Sequence, residues 1–225
     1  KSVPKDSIIT VKTPLYDAQL TKDGARIISW QLKDYANRGE PGNINLIPSH
    51  AQNCLVLQFD DPKIQKEIEA KYWIPDKKEL ILENGTSGII NFINFTSNGI
   101  NIVKKMTFYS DNYIVDVDVA FSKPSNEKAV VGKYSILWGP GIAEDELISL
   151  QELANEGPIT LLITEKGPKI IKHWQRSGFG CFGGKHTRIP SQDGPILWTC
   201  FASKYFTAIL IPNSDPWWSA IDKAG

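Results

Sequence analysis

About a dozen short apolar runs, each bounded by a turn signal, set the terms on which this chain can fold. In order they read IITVKT, YDAQLT, RIISWQL, CLVLQF, ELILE, GIINFINF, NGINIVKKMTFY, YIVDVDVAF, VVGKYSILW, ITLLIT, KIIKHW, ILWTCFAS and KYFTAILI. Between them stand Asp23-Gly24, Asn84-Gly85, Asn98-Gly99, Asp111-Asn112, Lys123-Pro124-Ser125 and Asp193-Gly194-Pro195. Such steps reverse a chain because glycine and asparagine tolerate positive φ and proline presets its own. So many strands cannot lie in one flat sheet without curling or splitting. The pattern predicts an all-β fold: two large, mainly antiparallel sheets packed face to face as a sandwich.

One stretch shows the pattern most clearly. In MTFYSDNYIVDVDV, Tyr113, Val115, Val117 and Val119 alternate with Ile114, Asp116 and Asp118. Period two places the first set toward a core and the second toward water. Two aspartates at that spacing could be half of a metal or acid/base site, but no glycine-containing calcium loop surrounds them, and they read as a wetted face. Two segments look helical. PKIQKEIEAKYW follows an Asp60-Asp61 cap and spaces Ile64, Ile68 and Tyr72 four apart; AEDELISLQELANEG starts with acids and stripes Leu147, Leu150 and Leu153. Both are expected to be short covers on the sheets.

At 225 residues the chain can bury about 70% of its unfolded surface without disulfides or metals. No linker, repeat or low-complexity tract divides it, so residues 1–225 are read as a single domain. Lys plus Arg and Asp plus Glu balance at 25 each, leaving no net field for nucleic acid or anionic lipid. No apolar run approaches the ~18 residues of a membrane-spanning helix. The start KSVPKDS, without methionine or signal peptide, is what an excised domain of a larger protein would show. Cys54, Cys181 and Cys200 lack metal-ligand spacing and read as buried small hydrophobes.

Chemistry-bearing patterns are sparse. Gly178, Gly180 and Gly183 form a literal G-x-G-x-x-G, but the following Lys185-His186-Thr187-Arg188-Ile189-Pro190 is a poor helix start and no acid lies about 20 residues on. A glycine-rich connector is the simpler reading. His50, His173 and His186 are not spaced as zinc ligands, and no nucleophile elbow occurs. Glu144-Asp145-Glu146 suits a helix N-terminus. Trp138-Gly139-Pro140-Gly141 is expected to make a tight turn at a strand end. Of Trp30, Trp73, Trp138, Trp174, Trp198, Trp217 and Trp218, most are expected between the sheets, with Trp217-Trp218 the pair best placed for a binding surface. No catalytic, cofactor or metal residue is predicted, and the chain is not read as an enzyme.

Five patches then occur in a telling order: ITVKT at 9–13, DGARIISWQLKDY at 23–35, KKMTFYSDNYIVDVDV at 104–119, SILWGPGI at 135–142 and KYFTAILIP at 204–212. The series covers most of the chain and resembles the first, large periplasmic domain of the YidC/Oxa1/Alb3 family of membrane protein insertases. The resemblance implies a β-supersandwich similar to galactose mutarotase and carbohydrate-binding proteins. It implies a domain facing the periplasm from a bacterial inner-membrane parent that inserts and folds membrane proteins, alone or with the Sec translocon. The insertase groove belongs to the membrane core, so no catalytic residue carries over. The role implied is auxiliary: docking to SecD/SecF or SecYEG, or holding a nascent membrane protein. The SecF contact would fall within Ser122 to Thr164, with no motif fixing the residues. The family domain continues into further strands and a short helix, so an incomplete last edge is expected after IDKAG. The alternative is a mutarotase-like sugar-binding module or aldose epimerase. Epimerisation needs an acid and a base across a ring, and no strand pairs a histidine with a recognisable carboxylate.

Overall fold

The computed structural model describes residues 4–36, 41–48, 54–124, 129–139, 142, 159–164, 167–172, 191–192, 196–202, 205–213 and 220–221. The chain divides into two compact units, Lys1–Gly139 and Pro140–Gly225. The first holds β1 (Ile8–Lys12), β2 (Tyr16–Thr21), β3 (Arg26–Ala36), β4 (Asn43–Asn45), β5 (Val56–Phe59), α1 (Pro62–Glu69), β6 (Ile74–Pro75), β7 (Glu79–Ile81), β8 (Ser87–Phe95), β9 (Asn101–Tyr109), β10 (Val115–Ser122) and β11 (Tyr134–Leu137). These form a five-stranded sheet in the order β4-β3-β2-β1-β7, a four-stranded sheet β10-β9-β8-β6 and the pair β11-β5. Pairing is antiparallel except for β1 with β7, which run parallel.

The two larger sheets of this unit form the expected β-sandwich. Ile9 and Val11 of β1, Tyr16, Ala18 and Leu20 of β2, and Ile27, Trp30 and Leu32 of β3 are buried on one sheet. Ile90 and Phe92 of β8 and Ile102, Met106 and Phe108 of β9 are buried on the other. Each large side chain so buried contributes roughly 1.5–3 kcal/mol. Rings join the layers: Tyr16 stacks on Trp30 with centroids 4.1 Å apart, and Trp30 lies 6.4 Å from Phe108. The Tyr16 hydroxyl donates to the Tyr109 carbonyl at 3.0 Å, so a tyrosine crosses from one sheet to the other with its polar end satisfied.

Local chemistry fixes the connections. Gly24, Gly85 and Gly99 take φ of +69°, +73° and +80° at three of the four predicted Asp-Gly and Asn-Gly turns, where a side chain would be strained; the fourth, at Asp193-Gly194, lies outside the described residues. Asp61 caps α1, accepting from the Lys63 amide at 2.8 Å, with Pro62 at the first helical position. Ile64 and Ile68 are buried as spaced, but Tyr72 is 60% exposed. The helix ends at Glu69, and Trp73 takes the burial instead, its amide donating to the Lys22 carbonyl at 2.9 Å. Tertiary docking of the indole overrides the four-residue stripe.

The second unit holds β12 (Ile159–Thr164), β13 (Gly167–Lys172), β14 (Ser191–Gln192), β15 (Ile196–Ala202), β16 (Thr207–Leu210) and β17 (Ala220–Ile221). β13-β12-β15-β16 form an antiparallel sheet and β14-β17 a short pair. Thus the expected strands ITLLIT and ILWTCFAS are present. The second expected helix, at 143–157, lies outside the described residues, as do Pro140 and Gly141 of the expected tight turn. The described residues contain a single α-helix.

Candidate functional site

The alternating strand β10 answers its own question. Val115, Val117 and Val119 stand opposite Phe108, Met106 and Lys104 of β9, all three buried, so the valines share the core face. They are only half-buried because β10 is the edge strand. Tyr113 precedes the strand and is 45% exposed, its ring tilted 6.1 Å from Tyr16, so it seals the rim rather than the core. Asp116 and Asp118 face outward and each has a partner on β9. The Tyr109 hydroxyl donates to Asp116 at 2.5 Å, and Lys105 pairs with Asp118 at 3.1 Å. That bond to Asp116, with burial second, raises the Tyr109 pKa above its usual range. Two carboxylates held separately do not make an acid/base pair.

The outer face of this sheet is organised in rows. Ile74 of β6 stands opposite Ile93 of β8, Ile93 opposite Val103 of β9, and Val103 opposite Ala120 of β10. This apolar row crosses all four strands. Beside it, Asp76 accepts from the Asn91 amide at 3.0 Å and its side-chain nitrogen at 2.8 Å, Asn91 stands opposite Lys105, and Lys105 opposite Asp118. Phe95, two residues beyond Ile93, is exposed at the other side of the row.

On the inner face the same strand carries a lysine that is fully buried. Lys104 Nζ donates to the Ala25 carbonyl at 2.7 Å and to the Leu55 carbonyl. Both acceptor residues have left-handed backbone, Ala25 at φ 47° and Leu55 at φ 64°, a conformation that costs a non-glycine residue roughly 1–3 kcal/mol. Burial lowers the Lys104 pKa to about 7. Two carbonyls match the two N–H groups of a neutral amine, whereas an ammonium would bring a third. Lys104 therefore ties the turn before β3 and the turn before β5 to the centre of the opposite sheet.

Outside these turns is a cavity of about 260 Å³ lined by Asp23, Arg26, Val56, Gln65, Glu69 and Trp73 among others. Its polar groups are engaged: Arg26 pairs with Asp23 at 3.1 Å, and Gln65 accepts from the Phe59 amide and donates to Glu69. Cys54 nearby is buried and free, and burial pushes its thiol up to about 11, which makes it inert. Cys200 is likewise buried and free. Trp30 and Trp73 lie in the core as expected; Trp138 and Trp198 are half-buried. His50, His173, His186, Gly178, Gly180, Gly183, the 144–146 acids, Cys181, Trp174, Trp217 and Trp218 lie outside the described residues. Among the described residues no three His, Cys, Asp or Glu side chains gather as a metal site.

The described residues of the first unit thus build a β-sandwich whose four-stranded sheet has an ordered outer face. Comparison with known proteins defines it further. The family model of the YidC periplasmic domain matches residues 8–220. The chain belongs to that family. Among curated relatives, it is 22% identical over 213 residues to a membrane protein insertase YidC of Maridesulfovibrio salexigens, covering 94% of this chain and 36% of the relative. It is 23% identical over 218 residues to the protein of the same name in Chlorobaculum parvum, covering 95% and 35%. For that of Citrifermentans bemidjiense the identity is 27% over 212 residues, covering 91% and 35%. The chain thus spans about a third of the length of the curated relatives it matches.

Two features were not anticipated from the sequence. Lys104 sits at the core parity of NIVKKMTFY, between Ile102 and Met106, which is the signal that could have found it. The apolar row across four strands depends on register between distant segments and has no sequence signature.

Proposed function

We propose that this chain is the periplasm-facing domain of an inner-membrane insertase and plays an auxiliary, non-catalytic part in membrane protein insertion. In this reading the remainder of the parent performs insertion, while the domain docks Sec components such as SecD/SecF or SecYEG, or holds a nascent membrane protein. The observation that carries it is the family match through residues 8–220, together with relatives named as insertases. The reading of residues 1–225 as one domain is part of the proposal and is supported by the same match, which runs through both compact units.

The test is a parent protein with and without this segment, expressed in cells depleted of their own insertase. Protease protection of a newly made membrane protein reports insertion, and co-purification reports Sec association. The expected result is retained insertion with reduced Sec association. Complete loss of insertion would overturn the auxiliary role; unchanged Sec and client association would overturn docking. The sugar-module alternative has the Asp23–Trp73 cavity in its favour, and aldose mutarotation by the purified chain would establish it.

A further inference from the structure

We propose that the outer face of the four-stranded sheet is a docking surface for a protein segment that presents an aliphatic row beside a lysine or arginine. This deepens the docking role proposed above and rests on it for its biological setting, but its physical basis is separate. Adjacent strands lie 4.7–4.9 Å apart, so Ile74, Ile93, Val103 and Ala120 form a stripe roughly 14 Å long. Antiparallel sheets with a solvated face ordinarily show polar residues there. Here Ile74 is 57% exposed and Phe95 48% exposed beside the stripe.

The charges choose the occupant. On one side of the stripe, the outward side chains of β9 and β10 together with Asp76 just after β6 supply three carboxylates, Asp76, Asp116 and Asp118, and one ammonium, Lys105. On the other side, near Phe95, Lys71 donates to the Phe95 carbonyl and Glu67 accepts from Ser97, so those charges balance. The excess is acidic and lies along one flank. An anionic bilayer would meet repulsion from that flank. A helix or strand with aliphatic residues against the stripe and a cation over Asp76 or Asp118 gains both apolar contact and charge complementarity. Register makes the arrangement directional: the cationic flank of the partner must run along the Asp76–Asp118 side.

The test uses the 225-residue chain and a fluorescent amphipathic helical peptide of leucine and lysine, with its leucine and glutamate counterpart as control. The leucine–lysine peptide is expected to bind and the leucine–glutamate peptide not. Ile74→Asp and, separately, Phe95→Asp should weaken binding at least tenfold, by an order-of-magnitude judgement from loss of an exposed anchor. Asp118→Asn should weaken it a few-fold and reduce its salt dependence, while Asp17→Asn on the other sheet should leave it unchanged. Equal binding of both peptides, indifference to Ile74→Asp and Phe95→Asp in folded protein, binding to phosphatidylglycerol vesicles through this face, or a dimer lost on Ile74→Asp would each overturn the proposal. The assay contains neither membrane core nor Sec components. Failure here with altered Sec association in cells removes this face and leaves the auxiliary role standing.

Discussion

Lys104 and Lys105 are neighbours on one strand and live in different solvents. Lys104 points into the sandwich, is fully buried, and gives its hydrogen bonds to two backbone carbonyls. Lys105 points outward and pairs with Asp118 across two exposed side chains. The residue type is the same and the backbone is continuous, so pleat parity alone decides which is a surface ion and which an internal strut. The inner face of this sheet should respond to substitution through desolvation and packing, the outer face through screened charge.

The strongest way to break the comparison is to replace the buried amine donor by a carboxylate. Lys104→Glu would aim a carboxylate at two carbonyl oxygens with no donor between them. A cost of roughly 5 kcal/mol or more is expected, enough to prevent folding, as circular dichroism would report. Lys105→Glu, facing water, should fold. Next, the apolar residues of β9 should divide by face: Phe108→Ala should cost about 3–5 kcal/mol and Val103→Ala under about 1 kcal/mol, both read from urea midpoints. If the two losses were equal, the outer row would be serving as core.

A smaller effect separates the lysines by pH. The Lys104 pKa is lowered from 10.5 to about 7 in the folded state, so above about pH 7 the unfolded chain binds more protons at this site. Stability should therefore rise with pH from about 7 toward 9, at roughly 1 kcal/mol per pH unit. Below about pH 7 the lysine is protonated in both states and the burial penalty is complete. Above pH 9 Cys54 and Tyr16, whose pKa values burial raises, oppose the trend because their unfolded forms ionise first. Urea unfolding at several pH values should show the rise in the natural chain, and Lys104→Met should flatten it. The smallest effect is expected outside: Asp118→Asn should cost under about 1 kcal/mol and still less in high salt.

Much of this contrast was written locally. The period-two pattern of YIVDVDVAF put Val115, Val117 and Val119 on the core side and Asp116 and Asp118 outside, since parity needs no knowledge of the partner strand, whereas Tyr113, ahead of the strand, went to the rim. The Asp61 cap and the turns at Gly24, Gly85 and Gly99 were legible for the same reason. What eluded the sequence was every feature closed by distant residues. The acceptors of Lys104 lie 79 and 49 residues away, and carbonyls carry no side-chain signature. The stripe from Ile74 to Ala120 appears only when four strands are in register, and Tyr72 left its helical stripe because Trp73 docked instead.

The parallel pairing of β1 with β7 has a consequence in time. β1 is an interior strand of its sheet, yet Lys12 meets Glu79 only after 67 further residues. A chain delivered from its N-terminus forms the local β1–β2–β3 meander first and carries an open β1 flank until β7 arrives. During that interval the first sheet presents unpaired amides and carbonyls on one side and an uncovered apolar face on the other. Delivery rate, and whatever shields that flank, would then govern yield more than the strength of any contact in the finished fold.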